Sequence, residues 1–408
     1  MVDTVVTRLG STIATSAIVS VFIVGVLAGC SSPAPTSSSG SGSGSGSGSA
    51  GVAAAAAALK PYLTTKVPKP VGQPFNATAA SGKVVEVIDL SGANPAVAAV
   101  SQSARTALTH VGAVVQRCDA SGVAVNVAGC INQGISQSVK AIIVIGGDPK
   151  VYSQGIDAAK AKNIPVISAL DFPTQTEVKA SGVDASPLDA DTALVSGNAA
   201  PPDALSGTLA ADFIASDSKG KAKVLFISSP GIVGSDYVDK AFRVELKKRC
   251  PDCSIVSAGV AITSWASDLG AVVSSKLAQN PDINYVVPVF DPMAAYTNPA
   301  ISQAGKSSSV KVVTVNGSLQ QMQALSRGEL IAAEIGQNLP EMGLNAADQA
   351  LRYVVGAPVV KEATPAIRVF TSKNIGSITV AAENYATGEW YTGSPDALTK
   401  TYYAHWGK

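Results

Sequence analysis

The sequence predicts an α/β protein made of two doubly wound parallel-sheet lobes. Three observations carry that expectation. After residue 82, short β-branched runs alternate with amphipathic helical stretches, which is the pattern of βαβ units. The alternation occurs twice, on either side of the loop GNAAPPD at 197–203. The 327 residues from Gly82 onward can fill two compact cores of about 150 residues each.

The N-terminal stretch precedes this body. Residues 13–29 carry no charge and follow Arg8. Seventeen uncharged residues are short for a spanning helix, which needs about 20, and small residues at the end suit a secretion signal. Leu27-Ala28-Gly29-Cys30 resembles the lipobox of bacterial lipoproteins. That resemblance implies removal of residues 1–29 and lipidation of the Cys30 thiol; a plain N-terminal signal anchor is the alternative. Of the 20 residues from Ser31 to Ala50, 15 are Ser or Gly, and Pro61, Pro68, Pro70 and Pro74 follow. Such a composition buries little apolar surface, so residues 30–81 are expected to be a flexible tether.

The body then proceeds element by element. KVVEVIDL (83–90) is apolar and β-branched, as a strand covered on both faces is. ANPAVAAVSQSARTALTHVG (93–112) is amphipathic, with Pro95 near its start, and reads as a helix. AVVQRCDA, AIIVIGG and IPVISALDF continue as strands, separated by helical patterns. The second series has strands KAKVLFISS, 254–262, INYVVPVF and VKVVTVNG, with helices at 235–249, 264–279 and 293–305 between them. IAAEIGQ, a long helix at 339–357 and a late strand within 366–376 remain. They are too few to enclose a third core, so they are expected to join the first two.

Composition narrows the function. The net charge is +1 and charged residues make up 14 %, which gives no basic stripe for nucleic acid. Apart from Cys30 there are four cysteines, 118, 130, 250 and 253. An even number in an exported chain suggests two disulfides. Three connectivities are possible, of which local pairing, 118–130 and 250–253, is the simplest. A redox CxxC opens a helix after a strand, whereas Cys250-Pro251-Asp252-Cys253 follows a helical pattern and precedes a strand. The spacing of 118 and 130 does not suit a zinc knuckle. The two histidines, His110 and His405, accompany no nucleophile elbow, phosphate loop or metal-ligand cluster. No enzyme, cofactor or metal is expected.

In open α/β sheets, ligands bind beyond the carboxyl ends of strands. Ser91 and Asn94 follow the first strand, Asp171 and Phe172 the fourth, and Phe290 and Asp291 a later one; Asn316 and Gln337 end two others. As a set they suit hydrogen bonds to an uncharged solute. Ordinary caps and loop residues are the competing reading, since Asn94-Pro95 and Asp291-Pro292 also look like helix starts.

VIDLSGANPAVAAVSQSARTAL, CINQGISQSVKAIIVIGGDP, YVVPVFDPMAAYTNPAISQAGK and GELIAAEIGQNLPEMGLNAADQAL, in that order, resemble the type I periplasmic binding proteins, the ribose- and galactose-binding receptors of ABC importers. The resemblance covers roughly residues 83–380. It implies a hinge crossed three times, near Asn198, Gly336 and Ala363. The implied lobes are 82–198 with 336–362, and 199–335 with 363–380, leaving 381–408 as an aromatic tail. It places a stacking ring at Trp265, with Tyr237 as a further aromatic candidate. It also expects residues that are absent here: an Arg beside Asp171, where Phe172 stands, an Asn before Asp291, where Phe290 stands, and a second Arg in the helix after strand 224–229, which reads GSDYVDKAF. The implied function is capture of a small neutral solute, sugar-like or polyol-like with an apolar face, and delivery to an ABC permease. The protein would be a monomer on the extracytoplasmic face of a bacterial cell membrane, held only by the lipid on Cys30. A solute sensor docking on a signalling partner, or a binder of an aromatic or terpenoid-like solute, is the alternative.

Overall fold

The structure, a computed structural model, describes residues 46–407. The expected signal segment, Cys30 and the first part of the expected tether lie outside the described residues. The chain begins with α1 (Gly46–Leu59). Then β1 (Val84–Asp89), α2 (Pro95–His110), β2 (Val114–Asp119), α3 (Asn126–Ser136), β3 (Ala141–Ile145), α4 (Ser153–Ala161), β4 (Val166–Ala169), α5 (Gln175–Ala180), α6 (Leu188–Leu194) and β5 (Gly197–Ala199) form most of the first lobe. The second lobe is α7 (Asp203–Asp217), β6 (Lys223–Ser228), α8 (Val233–Arg249), β7 (Ser254–Gly259), α9 (Trp265–Gln279), β8 (Tyr285–Pro288), α10 (Asp291–Gln303), β9 (Lys311–Asn316), α11 (Leu319–Ser326) and β10 (Ile331–Gln337). The chain ends with α12 (Leu339–Val355), β11 (Glu362–Ala363), β12 (Ile367–Thr371), α13 (Ala382–Ala386), α14 (Glu389–Thr392) and α15 (Ala397–His405).

The first sheet has the order β11-β5-β4-β3-β1-β2 and is parallel throughout. The second has the order β12-β10-β9-β8-β6-β7, with only β12 antiparallel to its neighbour. Helices cover both faces, so the central strands read as unbroken apolar runs; every residue of β3 is buried. The chain passes between sheets after β5, between β10 and α12, and between β11 and β12. Helix α12 packs against α2 in the first lobe. Gly343 permits that contact, because a Cβ there would run into the Val100 carbonyl. Both disulfides pair locally: Cys118–Cys130 ties β2 to α3, and Cys250–Cys253 closes the turn between α8 and β7.

From residue 46 onward the expected tether is folded. Helix α1 lies on α7, with Ala55 and Leu59 buried in the second core. Small side chains, which had suggested a coil, are what allow this approach: Gly51 sits against the Arg249 carbonyl with no room for a Cβ. Further along, Ala77 and Ala80 are buried in the first core.

The terminal segments also bind each other. Lys66 donates its N–H to the Tyr391 carbonyl (2.8 Å), Phe75 to that of His405 (3.0 Å), and Ala77 to that of Trp406 (3.0 Å). Buried Arg352 on α12 donates to the Val71 and Gln73 carbonyls (3.1 and 3.0 Å) and pairs with Asp348 (2.7 Å). On the second lobe, Asn374 donates to the Leu63 carbonyl (3.1 Å). Trp390 and Tyr391 enter the second core, and Tyr402 and Trp406 the first. Residues 60–80 and 381–407 therefore form a two-ply strap that bridges both lobes beside the three crossings.

Candidate functional site

On the first lobe, the turn after β1 carries Ser91 and Asn94. Asn94 accepts from the N–H groups of Ala96 and Val97 (2.9 and 3.4 Å) and so caps α2. After β4, Asp171 is buried and its Oδ2 accepts from the hydroxyls of Ser168 and Tyr152, the latter at 3.5 Å. Its Oδ1 has no donor among the described residues. Burial pushes the Asp171 carboxyl well above the usual carboxylate range, and Asp148 and Asp191 add to the rise against the two hydroxyls. Lys150, the neighbouring cation, is tied to Asp191 at 2.8 Å. Phe172 is fully buried, and its carbonyl accepts from Asn198 Nδ2 (3.0 Å).

The buried cluster that holds Phe172, Tyr152 and Leu188 also holds Tyr237 and Ala241 of α8. The two lobes thus meet at this point through apolar side chains. Burial, with Asp191, Asp184 and Asp236 nearby, pushes the Tyr237 hydroxyl up to about 12.

On the second lobe, Trp265 opens α9, and its indole N–H donates to the Val260 carbonyl (3.1 Å) and Ser229 Oγ (3.2 Å). Trp265 is 7 % exposed and packs with the second core. Phe290 is half-buried against that core. Asp291 is buried; it accepts from Thr314 Oγ1 (3.0 Å) and the Ser318 N–H (2.6 Å). Asn316 ends β9 with φ +121°. Gln337, at the crossing into α12, donates from Nε2 to Asp203 Oδ1 (3.0 Å) and Ser206 Oγ (3.2 Å), while its Oε1 has no donor among the described residues. Burial raises the Asp203 carboxyl to about 6, against the Gln337 amide.

The expected residues thus fall into two groups, Asp171–Phe172–Tyr237 and Asp291–Asn316–Gln337. Among the described residues, Ser91, Asn94, Trp265 and Phe290 have no side-chain hydrogen bond to either group. Sequence reasoning missed Ser168, Tyr152, Lys150, Asp191, Asp203 and Glu334. Of these, Glu334 left a signal: a lone carboxylate inside the apolar strand IAAEIGQ. At the junction of the lobes, Asp171 Oδ1, Asn198 Oδ1 and Gln337 Oε1 are all buried oxygens without a donor among the described residues. Two surface hollows, of about 540 and 640 Å³, lie away from this region, on the outside of the first lobe and at the base of the second. Among the described residues no His/Cys/Asp/Glu group could hold a metal ion, and no helix is long and apolar enough to cross a membrane.

Residues 91–358 match the family described as periplasmic binding protein domain. The chain belongs to that family. Its members are extracytoplasmic binding and transport proteins rather than enzymes. Solved structures share the fold. A 5-methylthioribose transporter solute-binding protein from Thermotoga lettingae, in complex with 5-methylthioribose, is 21 % identical over 82 % of this chain and 100 % of its own, with a TM-score of 0.63. An ABC transporter periplasmic solute-binding protein from Actinobacillus succinogenes, with bound D-allose, is 17 % identical over 73 % and 100 %, with a TM-score of 0.62. A solute-binding protein from Bacillus halodurans, with bound myo-inositol, is 17 % identical over 73 % and 97 %, with a TM-score of 0.62. No curated protein matches significantly. In this binding protein the matched region stops short of both plies of the strap.

Proposed function

We propose that the protein is the substrate-binding lipoprotein of an ABC importer, held by lipid on Cys30, which captures a small uncharged polyol or sugar-like solute between its lobes. The observation that carries this is the set of donorless oxygens where the lobes meet, Asp171 Oδ1, Asn198 Oδ1 and Gln337 Oε1. Buried acceptors without donors are costly unless something donates to them. Hydroxyl groups supply such donors. An anionic solute would bring further acceptors to a region whose nearby lysine is already paired with Asp191, and would remain uncompensated. Phe172 and Tyr237 supply apolar cover on opposite lobes. Opening and closing is a hinge motion at the three crossings, and a solute that touches both lobes favours the closed form.

A thermal-shift panel of sugars, polyols, aromatic solutes and carboxylates tests this, because a ligand of the folded state raises Tm. Uncharged polyols or sugars are expected to raise it; a panel in which only carboxylates do so overturns the reading. For the anchor, intact mass of membrane-extracted protein should show residues 1–29 absent and lipid present. A Cys30→Ser variant that fractionates as wild type does would rule the anchor out.

A further inference from the structure

The turn after β9 combines three features. Asn316 holds φ +121°, a region side-chain-bearing residues rarely adopt. Its side chain is only 5 % exposed and has no hydrogen-bond partner among the described residues. The next two N–H groups are each held by a buried carboxyl: Gly317 N–H by Glu334 Oε1 (2.8 Å) and Ser318 N–H by Asp291 Oδ2 (2.6 Å). Those two carboxyls, Glu334 on β10 and Asp291 at the start of α10, hold neighbouring N–H groups of one turn and are almost fully buried, and Glu334 Oε2 has no donor among the described residues.

We propose that the Asp291–Glu334 pair is a positioning device, which holds turn 316–318 in its strained form and so keeps the Asn316 side chain in place for the solute. The role for Asn316 rests on the function proposed above; the carboxyl lock does not. Two carboxyls in contact without a cation must keep a proton between them. Burial raises both, and Asp291 raises Glu334 further, well above the usual range, whereas Asp291 reaches about 6. Of the two, Glu334 is therefore the carboxyl to which the proton is assigned. The other titratable groups facing the pair are Tyr385 and Tyr391 of α13 and α14, with Arg368 of β12 acting on Tyr391. None of the groups acting directly on the pair is a cation. Loss of the shared proton would leave two carboxylates in contact and loosen the turn.

Glu334→Gln separates positioning from packing. Its carbonyl can still accept from Gly317, and nothing titrates. Amide exchange of Gly317 and Ser318 in the full-length protein is measured from pH 6 to 9.5, corrected for intrinsic rates. Wild-type protection is expected to fall at least tenfold as pH rises, and Glu334→Gln to stay level. Equal pH profiles for the two proteins overturn the proposal, and this comparison decides even if Glu334→Leu fails to fold. If Glu334→Leu folds, the NMR signals of the Asn316 side-chain amide should broaden or average; unchanged signals also overturn it. For binding, 5-methylthioribose, D-allose and myo-inositol are the probes. Any that binds wild type should bind Asn316→Ala and Glu334→Leu at least tenfold more weakly and Glu334→Gln within twofold; equal binding by all four overturns the positioning role. Failure of all three probes on wild type counts against the function proposed above, while the exchange profiles still decide the carboxyl lock.

Discussion

Trp265 is a side chain whose polar contacts fix it to its own lobe. Both polar contacts of its indole are within the second lobe, and its ring is part of that lobe's core. Trp265→Ala is therefore expected to lower stability by about 3–5 kcal/mol through the cavity it leaves, visible as a drop in urea midpoint. Asp171 is the contrasting case. Its Oδ1 lacks a donor among the described residues, so Asp171→Ala should leave the fold in place and weaken polyol binding by about 1–3 kcal/mol, measured by calorimetry. An Asp171→Ala protein that binds as tightly as wild type would remove Asp171 from the site. Asp171 and Gln337 stand out as candidates in the sequence because strand ends are where such sheets bind ligands. Tyr152 does not, because a tyrosine after IGGDP has no pattern to show that it folds back under the next strand. Ser91 and Asn94 were legible as strand-end residues, but the same Asn-Pro pair encodes a helix cap, and in the structure Asn94 caps α2.

At the scale of elements, β-branched runs and helical periodicity located the main strands and helices of both lobes, because each buries one continuous apolar stripe. The short helices α5 and α6 and the strap escaped. Their order comes from tertiary contacts rather than local pattern: carbonyls of residues 63–73 find Arg352 and Asn374, which are about 280–310 positions away. The tether expectation failed beyond residue 46 for the same reason, since an alanine-rich run becomes a helix once it has α7 to lie on. Trp406 anchors the strap to the first lobe, with its indole N–H on Asp348 Oδ1 at 2.7 Å. Trp406→Ala should cost about 3–5 kcal/mol and raise amide exchange over residues 66–77 more than in the sheets. Uniform exchange across the molecule would mean that the strap is not a separate unit of stability.

At the scale of the whole molecule, the buried carboxyls set a pH dependence. Burial raises Glu177 and Glu341 to about 8, Glu86 to about 7, and Asp203 and Asp212 to about 6. The unfolded chain gives these groups their ordinary values near 4. Between those limits the folded protein binds more protons than the unfolded one, so stability falls as pH rises. The contribution is complete below about pH 4 and is lost progressively as pH passes through 6, 7 and 8. For a group as buried as Glu341, each pH unit in that window removes at most about 1.4 kcal/mol. The exposed carboxylates Asp184 and Asp282 shift the other way, below their ordinary value, and so favour the fold only above the acid range. Calorimetry from pH 5 to 8.5 is expected to show Tm decreasing throughout. Glu341→Gln removes one titrating group while Gln can still accept from the Ala366 N–H, which Glu341 holds at 2.8 Å. That variant should lose less Tm between pH 6 and 8.5 than wild type. A wild-type Tm that is level or rising over the same range would show that these carboxyls ionise in the folded protein as they do in the unfolded chain.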